Sequence, residues 1–234
     1  MMDFSAGFKS FSDVSVSDGS YLRPWNIYHN VKFGGISDPI TGNTKDGGTW
    51  KAWDFTFECE EGIYRERIFE PTTMERGEYN GKQMPSDFER SQCFVAQVVS
   101  TYNPAGFEKL KELTSAGKIK TFDQFIEVIK KLLAKPTAEG DIQLKLLGRN
   151  SDGKVFARLP NCAIGKDGKA FMSSFLGKKL TFTMWEETQK KNYESASPSN
   201  PEVAKPVSTD IDKSPADGGD DINFDDLEND LGID

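Results

Sequence analysis

The stretch TWKAWDFTFEC, Thr49 to Cys59, alternates without a break. A period of two gathers Trp53, Phe55, Phe57 and Cys59 on one face and Trp50, Ala52, Asp54 and Thr56 on the other, the pattern of a strand with one face on a core. Glu60, Glu61 and Gly62 make a tight connection to a second strand, IYRERIFE. NIYHNVKF alternates too, with Ile27, His29, Val31 and Phe33 on one face. CFVAQVVSTY reads as a strand buried on both faces, and DIQLKLLGR, KVFARLP and KKLTFTMWEE supply three more. GGISDPITGNTKDGG and PTTMERGEYNGKQMPSDFER lack a hydrophobic period and read as long loops, a common place for binding residues.

One helical region interrupts the strands. Phe107, Leu110 and Leu113 predict a short helix ending near Gly117. TFDQFIEVIKKLLAKP opens on a Thr121/Gln124 capping box and stops before Pro136, with Phe122, Phe125, Ile126, Ile129, Leu132 and Leu133 on one face. The expected fold class is therefore mainly β, a small β-barrel of five to seven strands with a helical insertion and a disordered acidic C-terminal tail. A β-sandwich is the competing architecture. The chain divides into an arm over residues 1–20, the barrel over 21–194, a Pro/Ser/Gly linker over 195–219 and the acidic tail over 220–234.

Charge sharpens that division. From Ser195 onward eleven acidic residues face two lysines, leaving −9 on the tail out of a formal net charge of −8 for the 234-residue chain. The remainder is almost neutral, so the acidic average does not exclude an anionic partner for the body. Within the tail, Phe224, Leu227 and Leu231 recur at helical spacing among carboxylates, suited to a short amphipathic helix on a partner. No run approaches the roughly 18 apolar residues of a membrane span. The first residues resemble no secretory signal. Cys59, Cys93 and Cys162 are few and far apart, as expected of free thiols in a reducing compartment, so a cytoplasmic location is expected.

The hairpin around Asn150 holds the clearest candidate chemistry. Ile142, Leu144 and Leu146 with Val155, Ala157 and Leu159 make its core face; Lys145, Leu147, Arg149, Lys154, Phe156 and Arg158 take the other. A close turn at NSDG sets Arg149 opposite Lys154 and Lys145 opposite Arg158, a repulsive arrangement that an anionic ligand relieves. Cations around an aromatic are what single-stranded nucleic acid needs, phosphates taking the charge and bases the flat ring. Trp50 and Lys51, with Arg65 and Arg67 sharing a strand face, form a second cluster, in which Trp53 is expected in the core. Lys178 and Lys179 add charge at the entry to the last strand.

Enzyme signatures are thin. There is no phosphate-binding G-x-x-x-x-G-K-[ST] loop and no spaced carboxylate cluster. His29, the single histidine, is expected as a packed core imidazole, and the short spacings of a zinc site are missing. No catalytic group, metal or cofactor is expected.

A β-barrel with a basic, aromatic face, a Pro/Ser/Gly linker and an acidic end resembles the OB-fold single-stranded DNA-binding proteins of bacteria and their phages. DDINF, Asp220 to Phe224, is similar to the Asp-Asp-Ile-x-Phe signature of the bacterial tails, and FDDLENDLGID to the Asp/Leu endings of phage members. The resemblance implies sequence-independent single-stranded DNA binding in replication, recombination or repair. It also implies a tail that recruits partner proteins through Asp220, Asp221, Ile222, Phe224, Asp225, Asp226, Leu227 and Leu231 and competes with DNA for the basic face. Here the Ile-x-Phe is internal. The alternatives are a protein–protein or virion-assembly module with a β-sandwich fold, and a metal-dependent nuclease.

Overall fold

The computed structural model describes residues 21–79, 81–151, 154–161, 169–173 and 179–196. Helix and strand occur in nearly equal shares, 33% and 31%, so the fold is mixed rather than mainly β.

Two antiparallel sheets carry the core. In the first, β4 (Thr49–Cys59) is the central strand. One of its edges pairs end to end with two short strands, β2 (Lys32–Ile36) and β3 (Ile40–Asn43), and the other with β5 (Gly62–Phe69). The alternation in β4 is realised: Trp53, Phe55 and Phe57 are 1% exposed or less. In the second sheet β8 (Leu144–Ser151) lies between β1 (Asn26–Tyr28) and β9 (Lys154–Arg158). A separate hairpin joins β6 (Gly77–Tyr79) to β7 (Lys82–Met84).

Four helices complete the described residues. α1 (Asp87–Tyr102) begins at a reciprocal capping box, with Ser86 accepting from the Glu89 N–H and Glu89 accepting from the Ser86 N–H. This corrects the expected strand CFVAQVVSTY. Ser91, Phe94, Val95, Val98, Val99 and Tyr102 are buried at the spacing of a helix face, against the first sheet and Phe171. α2 (Pro104–Ser115) and α3 (Phe122–Leu133) form where the sequence predicts them, the latter with its Thr121/Gln124 box. Gly117, with φ 64°, takes the left-handed conformation that follows α2. α4 (Met184–Ala196) takes the last four residues of the last expected strand, and Lys179 to Thr183 before it form no strand. The Thr183 hydroxyl accepts from the Glu186 N–H while Glu186 Oε2 accepts from the Thr183 N–H, so T-M-W-E starts a helix.

With the first of those segments helical and the second forming no strand, no strand among the described residues is left to join the sheets. Among the described residues the sheets are open and there is no closed barrel. Beyond an isolated bridge from Tyr21 to Ile63, β5 pairs only with β4 among these residues, and its outer edge is free from Arg65 to Phe69. Both expected long loops carry strands: β3 lies in the first, and β6 and β7 in the second. NIYHNVKF is two strands, because the chain turns at His29 and Asn30, the latter at φ 51°. Tyr28 and Val31 are buried there, and His29 is not. No helix among the described residues is long and apolar enough to cross a membrane.

Candidate functional site

A groove of about 1720 Å³ runs between the two sheets, past the C-terminal half of β5. Consecutive residues Glu66 to Thr72 line it, so both faces of β5 and its outer edge meet the opening. Trp50 and Phe69 stand on one wall, at the paired ends of β4 and β5. Their rings meet edge to face at 5.5 Å, and Phe69 remains 51% exposed. The N-terminal turn of α1 contributes Arg90, and the β8–β9 hairpin contributes Arg149 and Arg158 from the opposite side. Met84, at the end of β7, is a second exposed apolar group on the rim.

The cations differ in how far they are already satisfied. Arg67 donates from Nε and Nη2 to the two carboxylate oxygens of Asp54, at 2.7 and 2.9 Å. Lys51 pairs with Asp123 at 2.6 Å, while Arg90 reaches Asp87 only at 3.7 Å. Arg149 has no carboxylate partner among the described residues. Arg158 donates from Nη1 to Asn161 Oδ1 at 3.3 Å, and its buried Nε has no hydrogen-bond partner. That Nε is covered, so an incoming acceptor is left with Arg149 and the outer Nη groups of Arg158, both of which line the groove. Carboxyl groups share the groove: Glu66, Glu70 and Asp87 also line it. Burial pushes the Glu66 carboxyl up to about 7, against the opposing effect of the hydrogen bond donated by the Tyr64 hydroxyl.

Of the residues predicted from sequence, the groove brings together Trp50, Lys51, Arg67, Arg149 and Arg158. Arg65, Lys154 and Phe156 fall outside its walls. The hairpin register corrects the expected pairing: Arg149 lies opposite Phe156, Leu147 opposite Arg158 and Ser151 opposite Lys154. A shift of two residues leaves each side chain on its predicted face while removing the head-on repulsion between cations. Lys145 is also corrected. It is 5% exposed, lies opposite Ile27, and donates to Glu186 Oε2 at 3.2 Å and to the Thr181 carbonyl at 3.2 Å. A cation held that way stabilises the fold and is not available to a ligand. Lys179 is exposed and precedes a helix rather than entering a strand. Lys178 and the eight tail residues lie outside the described residues.

His29 is half exposed instead of packed in the core, with Nδ1 2.7 Å from Asp141 Oδ2. Asp141 also accepts from the Asn30 N–H, which is the main reason its pKa is lowered. No group of three or more His, Cys, Asp or Glu among the described residues is arranged to hold a metal. Trp53 is in the core, as expected.

Sequence reasoning missed Phe69, Met84, Arg90 and Asp54. Phe69 was accessible from parity, since it shares the β5 face of Arg65 and Arg67. Arg90 was accessible from the Ser86/Glu89 capping box, which puts it in the first turn of a helix. The groove thus offers unneutralised guanidinium groups together with one exposed and one half-buried flat ring, a pairing suited to a polyanion that carries planar bases. No protein-family model matches the chain, and no curated protein or solved structure matches it.

Proposed function

We propose that this protein binds single-stranded DNA without sequence preference, along the groove beside β5, in replication, recombination or repair. The observation that carries the reading is the placing of Arg149 and Arg158, neither neutralised by a carboxylate among the described residues, in one groove with the half-buried Trp50 and the exposed Phe69 packed against it. Phosphates take the guanidinium groups and unpaired bases stack on the rings. Each stacked base contributes roughly 1–3 kcal/mol. The fold that accompanies this reading is an opened relative of the OB barrel, its two sheets kept apart by the groove. The chain is read as non-enzymatic and cytoplasmic. Its acidic tail recruits replication or repair proteins and competes with DNA when the groove is empty.

The test is fluorescence anisotropy of a labelled poly-dT oligonucleotide at low and moderate salt, using the full chain, the double variant R149E/R158E and the single variant K154E. Binding is expected to weaken with salt, to fall more than about tenfold in the double variant, and to change far less in K154E. Absence of binding by the wild-type chain overturns the proposal. A second reading, a protein–protein module, is favoured by the free outer edge of β5, where an extended peptide can add a strand. It predicts peptide binding that is insensitive to charge reversal at Arg149 and Arg158.

A further inference from the structure

Two cations of the groove are held close by a carboxylate, Lys51 by Asp123 at 2.6 Å and Arg67 by Asp54, and only Arg67 is held through two hydrogen bonds. Arg90 sits 3.7 Å from its carboxylate and Arg149 has none among the described residues, but Arg67 is gripped by Asp54 through two parallel hydrogen bonds. The two residues lie directly opposite each other on β5 and β4. Asp54 is fixed in turn: its N–H donates to Ser37 Oγ at 2.9 Å and its carbonyl accepts from the Ser37 N–H at 2.9 Å. An aspartate is a poor strand residue, and its place in the middle of β4 calls for an explanation.

We propose that Asp54 is a positioning residue for nucleic acid, holding Arg67 so that the unused edge of its guanidinium meets a phosphate in the groove. A guanidinium has five N–H donors. The grip on Asp54 takes one from Nε and one from Nη2. The other three, on Nη1 and Nη2, have no partner among the described residues, in a side chain that lines the groove and is 32% exposed. A fork already fixed in place loses less freedom when it binds than a free lysine or arginine does. Asp54, with its side chain 18% exposed, is the less accessible partner and is not in the groove wall. The carboxylate also raises the pKa of Arg67, chiefly through the hydrogen bonds, so the charge on the fork is secure.

This inference rests on the nucleic-acid reading of the groove, and it predicts a sign opposite to that of simple electrostatics. If Asp54 only subtracted charge, removing its carboxylate would strengthen binding to a polyanion. The positioning role requires that removing it weakens binding.

The experiment titrates the poly-dT oligonucleotide with full-length wild type, D54N, R67K and D54N/R67K over a series of salt concentrations, with thermal melts of each. D54N is expected to bind roughly fivefold more weakly, with a slope of log K against log salt shallower by about 0.7, the loss of one single-strand phosphate contact. R67K keeps the charge but cannot make the fork, and is expected to match D54N. The double variant is expected to be no weaker than R67K alone. Equal or tighter binding by D54N overturns the inference while leaving the groove reading intact, as do fully additive losses in the double variant. If D54N melts below the assay temperature, R67K decides the matter, and wild-type affinity in R67K overturns the inference. Absence of binding by the wild-type chain overturns the groove reading and the inference together.

Discussion

Trp25 lies against the backbone of Gly148 so closely that a β-carbon on that glycine would stand 2.1 Å from the indole Nε1. Trp25 itself holds φ at 58°, a conformation bulky residues avoid. On its other side it meets the ring of Trp185, at the start of α4, edge to face at 6.2 Å. The substitution G148A therefore has to displace an indole, and the contact of α4 with it. The expected cost is about 1–3 kcal/mol, read as a lower midpoint in urea unfolding, with a changed tryptophan emission spectrum in the native state.

Lys145 and Glu186 join β8 to α4 out of contact with water, their side chains 7% and 0% exposed. Removing one partner strands the other charge in the interior. K145A is expected to lose about 3–5 kcal/mol of stability, measured by denaturant unfolding. K145M, which fills the volume without a charge but still abandons Glu186, is expected to recover little. K145M/E186L removes both charges and is expected to recover most of the loss. A comparable loss in the double variant would show that packing, not the unpaired charge, sets the cost.

The Glu66 carboxyl, pushed up to about 7 by burial, gives stability an unusual pH slope. Its folded value lies above the unfolded one, so the folded chain holds a proton that the unfolded chain releases between about pH 4.5 and 7. That contribution is complete below about 4.5 and is lost as pH rises through 7. Asp141 and Glu89 act in the opposite sense. The Asn30 N–H is the main cause of the lowering in Asp141 and the Arg76 guanidinium in Glu89, so their contribution is present above the unfolded value and lost as pH falls. Unfolding free energies from urea titrations at pH 4.5 to 8 should decline toward the alkaline end by as much as about 3 kcal/mol, and E66Q should flatten that decline. An unchanged slope in E66Q would assign it to another group.

Cys59 is a poor nucleophile where it stands. Burial first, then the hydrogen bond with Glu61, pushes its thiol up to about 11. Near pH 8 almost none of it is thiolate. Alkylation by iodoacetamide is expected to be roughly a hundredfold slower than for a free cysteine peptide, with the site assigned by peptide mass mapping. E61Q removes one cause of the shift and should speed the reaction.

The parts of this fold that were legible in sequence are those where one local pattern has one meaning. Trp53, Phe55 and Phe57 in alternation fix β4, and Thr121 with Gln124 fixes the start of α3. α1 was not legible from hydrophobicity, because CFVAQVV is nearly continuous and a run of that kind fits a buried strand or a buried helix equally well. The deciding signal, Ser86 three residues before Glu89, sat inside what looked like a loop. The same pattern in Thr183 and Glu186 marks α4. The site divides similarly. Arg149, Arg158, Trp50, Lys51 and Arg67 were recognisable by type and face, whereas Lys145 looks identical to Arg149 along the strand. Its partner is 41 residues further on, and no local pattern reports that. The groove itself arises from two sheets that fail to meet, a tertiary fact with no counterpart in any one segment.

The open edge of β5 has a consequence that holds whatever fills the groove. A strand with unpaired amides is a template on which a second chain can add itself, the first step toward aggregates built edge to edge. Arg65 and Arg67 sit on that strand, one of them exposed. Two copies approaching through β5 bring like charges together before their backbones can pair. The exposed Arg65 thus acts as a guard against self-association along an edge that has no strand partner among the described residues.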